Sequence, residues 1–115
     1  MDARSALREA EKYLESCFRS TSPPHVNEFA WRLRKPAYRV SRLFRRATGL
    51  RLIEYFHQRQ VDRAKRMLET TDLPVKEVGE SSAFGSDQTF HRVFKRVSGV
   101  SPGQWRSGTR AEIEN

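Results

Sequence analysis

The chain is 115 residues long, enough for one compact unit or two very small subdomains on a shared scaffold, and too short to enclose a large substrate pocket. Its 22 Lys and Arg against 14 Asp and Glu leave a net charge of +8, which favours a polyanionic partner, either nucleic acid or an anionic membrane surface. The single cysteine, Cys17, excludes an intramolecular disulfide framework, and no apolar run approaches the ~20 residues of a membrane span, so a soluble cytoplasmic protein in a reducing compartment is expected.

The first helix is expected from about Ser5 to Phe18, where Leu7, Ala10, Tyr13, Leu14, Cys17 and Phe18 return every three or four residues. Ser20-Thr21-Ser22-Pro23-Pro24 breaks it. A short helix from Val26 to Leu33 offers Val26, Phe29, Ala30 and Leu33 to a core, and another opens near Pro36, because proline suits a first helical turn. Only a short turn fits between them, which is helix-turn-helix spacing. Leu52 to Thr70 reads as one helix of roughly 28 Å, marked by Leu52, Tyr55, Phe56, Arg59, Arg63 and Met67 with Ala64 and Leu68.

Thr71-Asp72-Leu73-Pro74 ends that helix, and a short one follows over Val75 to Ser82. Ala83-Phe84-Gly85 makes a turn, and Ser86 or Asp87 caps a helix running to Ser98. Gly99 stops it, Ser101-Pro102 starts a last short helix carrying Trp105, and Ser107 to Asn115 reads as a weakly ordered tail. The expected fold class is all-α, with about seven helices and two helix-turn-helix subdomains joined by a long linker helix. The corresponding divisions are residues 1–50, 51–70, 71–107 and a tail over 108–115.

One pattern occurs twice, 50 residues apart: Arg42-Leu43-Phe44-Arg45-Arg46-Ala47-Thr48-Gly49 and Arg92-Val93-Phe94-Lys95-Arg96-Val97-Ser98-Gly99. Val26-x-Glu28-Phe29-Ala30 matches Val75-x-Glu77-Val78-Gly79 at 49, so one turn residue is inserted in the second copy. Positive charge concentrates in the middle of the chain: Arg32 to Arg66 holds only Glu54 and Asp62 among a dozen Lys and Arg. A basic helix presented twice at fixed spacing suits a long, regular polyanion such as duplex DNA.

Within the copies, Val40, Leu43, Phe44 and Ala47 share one face and Tyr38, Ser41, Arg42 and Arg45 another; Phe90, Val93, Phe94 and Val97 oppose Gln88, His91, Arg92 and Lys95 in the same way. A helix fits the major groove, where Arg pairs bidentately with guanine and Gln with adenine. The base-reading candidates are Arg42, Arg92 and Gln88, followed by Tyr38, Ser41, Asp87 and His91. Arg34, Lys35, Arg45, Arg46, Lys95 and Arg96 are candidates for phosphates, and the Thr89 hydroxyl for base or phosphate. No cofactor or metal is expected, since His25, His57 and His91 lack ligand spacing.

These residues resemble the DNA-binding domain of AraC/XylS-type bacterial transcription regulators over about Val26 to Arg106. The most specific stretch is Phe84-Gly85-Ser86-Asp87-Gln88-Thr89-Phe90-His91-Arg92-Val93-Phe94-Lys95-Arg96, with Gly99-Val100-Ser101-Pro102-Gly103-Gln104-Trp105-Arg106 behind it. The linker pattern of the family is kept only loosely at Arg59 to Ala64. The resemblance implies two recognition helices in successive major-groove segments on one side of the duplex, and a regulator, commonly an activator, that contacts RNA polymerase. Three departures stand out: Gly79 for the usual Ala, Ala83 for the usual turn Gly, and His25 where a better helix cap is common. They suggest a less stable second subdomain.

A stand-alone regulator would bind an asymmetric double-stranded site as a monomer, on the bacterial nucleoid, with no small-molecule ligand. The alternatives are a DNA-binding fragment of a larger effector-responsive regulator, or a nonspecific basic module for DNA or a membrane surface. An enzyme is not expected, because no nucleophile motif or phosphate loop occurs.

Overall fold

Helix boundaries follow local side-chain chemistry. The computed structural model describes the backbone of residues 1–114 and the side chains of residues 1–110, and within them it contains seven helices and no strand. The helices are α1 (Ala3–Ser20), α2 (Val26–Arg32), α3 (Ala37–Thr48), α4 (Leu52–Thr70), α5 (Val75–Ser81), α6 (Asp87–Ser98) and α7 (Pro102–Glu114). The Asp2 carboxylate accepts from the Ser5 N–H at 2.8 Å to open α1, and the Ser86 hydroxyl accepts from the Thr89 N–H at 3.1 Å to open α6. His25 makes no side-chain cap for α2; instead its N–H donates to the Tyr13 hydroxyl at 2.9 Å, so α1 holds that end.

The repeat extends to individual hydrogen bonds. Gly49 and Gly99 close α3 and α6 with φ of 77° and 85°, donating to Arg45 O and Lys95 O. The Thr48 and Ser98 hydroxyls each donate at 2.7 Å to a carbonyl four residues back, Phe44 O and Phe94 O. Both helix-turn-helix turns are Schellman motifs, with Arg34 N–H on Trp31 O and Lys35 N–H on Ala30 O in one, and Ala83 N–H on Glu80 O and Phe84 N–H on Gly79 O in the other. Gly85 is the inserted residue, and the ring of Pro23 lies where its Cβ would stand, 2.7 Å away.

The left-handed residue of each turn is not glycine: φ is 56° at Arg34 and 62° at Ala83. An L-residue there costs about 1–2 kcal/mol relative to glycine. Arg34 is exposed, so Arg34→Gly will raise stability by about 1 kcal/mol, a gain of several degrees in melting temperature. Ala83→Gly will gain less, because the Ala83 methyl is fully buried in the core of the first subdomain and its loss offsets much of the relief. Thermal denaturation followed by circular dichroism checks both; no gain for Arg34→Gly would remove strain as the explanation.

Two cores are strung along α4. The first joins Ala10, Tyr13 and Leu14 of α1, Phe29 of α2, Phe44 of α3 and Leu52, Tyr55 and Phe56 of α4, with the Phe29 ring tilted on Tyr13 and edge-on to Phe44 and Phe56 at 5.2–5.9 Å. The second joins Val61, Ala64 and Leu68 of α4 to Val78, Phe84, Phe90, Val93 and Phe94. The molecule is correspondingly elongated, 48 × 26 × 20 Å.

Four expectations are corrected. On α4, Arg59 and Arg63 are exposed, and the buried stripe runs instead through Gln60 and Val61. Arg63 covers the Phe18 ring at 4.7 Å and donates to Ser81 O, while Gln60 Nε2 donates to Ser82 O and Ala83 O at 3.3 and 3.0 Å, so α4 holds the second turn. Ala47 is exposed, whereas its counterpart Val97 packs against the second core.

Gly79 is no weakness of the second subdomain: a Cβ there would lie 2.5 Å from Phe90 Cδ2. Finally, α7 is not short. It continues through the expected tail to Glu114, as Arg106 donates to Leu68 O, Leu73 O and Thr71 O and Arg110 pairs with Asp72. Asn115 lies outside the described residues.

Candidate nucleic-acid interface

Core packing decides which faces of α3 and α6 remain open. Val40 and Phe44 point inward from α3, and Phe90, Val93 and Phe94 from α6, so the opposite faces are turned to solvent. On α3 these faces carry Tyr38, 61% exposed, with Arg42, Arg45 and Arg46 exposed and Ser41 half-buried. On α6 they carry Asp87, Gln88, His91, Arg92, Lys95 and Arg96, all exposed, with Thr89 half-buried. Arg34 and Lys35 stand apart, in the turn before α3.

Few of these groups are engaged within the protein. Among the described residues no carboxylate lies within ion-pair distance of Arg34, Lys35, Arg42, Arg45, Arg46, Arg92, Lys95 or Arg96. The cations in the last turns of α3 and α6 also complement the helix dipoles, a purely structural role. Four candidates are partly committed: His91 Nε2 lies 3.4 Å from Asp87 Oδ1, the Thr89 hydroxyl lies 2.9 Å from that of Ser86, and Arg96 Nη2 lies 2.6 Å from His57 Nδ1.

Between the C-terminal ends of the two helices lies a cleft of about 370 Å³, lined by Arg51, Glu54 and His57 of the α3–α4 region and by Arg96 and Val97 of α6. Arg51 Nε reaches Glu54 Oε1 at 2.6 Å and holds that carboxyl below its ordinary range. Burial, then the guanidiniums of Arg96 and Arg92, hold the His57 imidazole below its usual 6.5, with Glu54 opposing.

The unfolded chain therefore binds this proton more readily than the folded one, so stability present above 6.5 is lost as pH falls toward the folded value. His57→Gln will flatten that decline in urea denaturation compared at pH ~7.5 and ~5.5; an unchanged decline would assign it to other groups.

Sequence reasoning passed over His57, Arg51 and Trp31. Trp31 is 80% exposed and adjoins Arg32, Arg34, Lys35 and Pro36; its signal was a tryptophan off the apolar face of α2. The pairing of His57 with Arg96 left no signal, since it joins residues 39 apart.

Two helix-turn-helix units, each offering the outer face of its second helix and both mounted on one linker, define a helix-turn-helix DNA-binding protein. The helix-turn-helix domain family matches residues 29–108. The chain belongs to the AraC-type helix-turn-helix family of DNA-binding transcription regulators.

It is 32% identical over 77 residues to the arabinose operon regulatory protein of Escherichia coli K12, covering 67% of this chain and 26% of that protein. It is 32% identical over 113 residues to the transcriptional activator RhaR of Klebsiella pneumoniae, covering 96% of this chain and 40% of that protein. Its structure matches the DNA-binding domain of the transcriptional factor AdpA, solved with a target DNA, at a TM-score of 0.83 and 28% identity over 97% of this chain and 96% of that one. Among the described residues no helix is long and apolar enough to cross a membrane.

Proposed function

We propose that the chain reads an asymmetric duplex site as a monomer, laying α3 and α6 into successive major-groove segments on one side of the DNA. The observation that carries this is the same uncompensated cationic face on two equivalent helices of one rigid linker. The 48 Å length of the molecule exceeds the ~34 Å of one helical turn, so one copy is long enough for both contacts. Arg42, Arg92 and Gln88 read bases, with Tyr38, Ser41, Asp87 and His91 beside them; Arg34, Lys35, Arg45, Arg46, Thr89, Lys95 and Arg96 hold the backbone. Acting on the nucleoid as an activator, the bound protein then contacts RNA polymerase.

Selection from random duplexes of about 25 base pairs tests this, with enrichment of two short motifs about one helical turn apart as the expected result. Salt-sensitive binding without enrichment would reduce the chain to a nonspecific basic domain. With about six phosphate contacts, log K against log salt will fall with a slope of roughly −5. A slope near zero would mean that the cationic face is not the binding face.

A further inference from the structure

The cleft between the recognition helices brings together groups that neither helix-turn-helix unit holds alone. Arg96 Nη2 of α6 lies 2.6 Å from His57 Nδ1 of α4. A guanidinium has only donors, so Nδ1 accepts and the ring is neutral, with its proton on Nε2. Protonation at Nδ1 would set two donors against each other and release Arg96.

The charges acting on the ring are Arg96 and Arg92 from α6 and Glu54 from α4 itself; Arg45 of α3 and Arg51 act on Glu54. Among the described residues, α5 and α7, which also pack on α4, contribute none. Arg92 and Arg96 thus act on the imidazole, while Arg45 and Arg51 act on the one carboxylate beside it, which is already paired with Arg51.

Two helices in successive major-groove segments leave a sugar-phosphate strand to pass between them. Resting on the two-headed mode of binding, we infer that this cleft takes one backbone phosphodiester and that His57 gains a proton as the phosphate arrives, releasing Arg96 so that ring and guanidinium both donate to its oxygens. The proton comes from solvent, and no covalent bond changes. An anionic oxygen within hydrogen-bond reach favours the imidazolium, reversing the bias that the arginines impose in the free protein. Affinity for duplex DNA then rises as pH falls, by at most about tenfold per pH unit between the free and bound values.

The probe is the selected duplex, and the same duplex with a neutral methylphosphonate at single linkages between its two motifs. Binding is measured from pH ~7.5 to ~5.5 at fixed salt, with calorimetry in two buffers of different ionisation enthalpy and an NMR titration of His57 in free and bound wild-type protein. The expected result is net proton uptake, a His57 pKa that rises on binding, and loss of that pH dependence both in His57→Gln and at one methylphosphonate position. A His57 pKa that stays low in the complex overturns the proposal even where the variant fails to fold. So does a pH slope that survives His57→Gln or every methylphosphonate. Failure of the wild-type chain to bind any selected duplex would overturn the two-headed mode itself.

Discussion

Arg42→Ala and Arg92→Ala will each weaken binding to the selected duplex by about 1–3 kcal/mol, roughly 5- to 150-fold, and will relax preference at one base position each. Both side chains stand at the sixth position of their helices, on the solvent face, with no carboxylate holding them among the described residues. An arginine side chain at that place can reach a base edge from the helix, and its guanidinium has the fork geometry that guanine O6 and N7 require. Arg46→Ala, in the last turn of α3, will instead weaken selected and scrambled duplexes alike, as loss of a phosphate contact does. Competition binding with both duplexes separates the cases. If Arg42→Ala weakened scrambled DNA as much as the selected site, base reading by Arg42 would be wrong.

Gly79→Ala will destabilise the protein by about 1–2 kcal/mol, although alanine is the better helix former by about 1 kcal/mol. The added Cβ would meet Phe90 at 2.5 Å from Cδ2 and 2.8 Å from Cγ. That ring cannot swing aside, being fully buried with Phe84 at 5.0 Å and Phe94 at 5.8 Å. Because Phe90 belongs to α6, relief by movement displaces a recognition helix.

The first subdomain solves the same contact with Ala30 and Val40, a larger residue on the first helix and a smaller one on the second. Phe90→Val should therefore be less harmful in the Gly79→Ala background than alone, leaving the double variant more stable than the two single losses would sum to. Urea denaturation of the four proteins reads this directly, and strict additivity would refute the proposed clash.

The same pair shows where reading the chain residue by residue reaches its limit. Gly79 taken alone looks like a defect, since the intrinsic preference of a helix position is all that local sequence exposes. Its value lies in Phe90, eleven positions later across a turn whose course only the tertiary packing sets. On α4 the periodic series that marks the helix runs through the exposed Arg59 and Arg63 rather than the buried Gln60 and Val61, for a related reason. The helix is covered by one core in its first half and another in its second, so its pattern superposes two faces and no single periodicity describes it.

What the chain by itself determined was local or repeated: about seven helices, the glycine stops at Gly49 and Gly99, the inward and outward faces of α3 and α6 apart from Ala47, and the duplication with its one-residue insertion. These depend on the 3.6-residue period and on the backbone conformation each residue tolerates, and both act between near neighbours. The tertiary structure alone decided that Gln60 and Arg63 bind the second turn to α4, that Arg106 and Arg110 carry α7 past its expected end, and that His57 meets Arg96 between the two heads. Each joins groups 18 to 39 residues apart, and such partners are selected by the packing of whole helices, which no local pattern encodes.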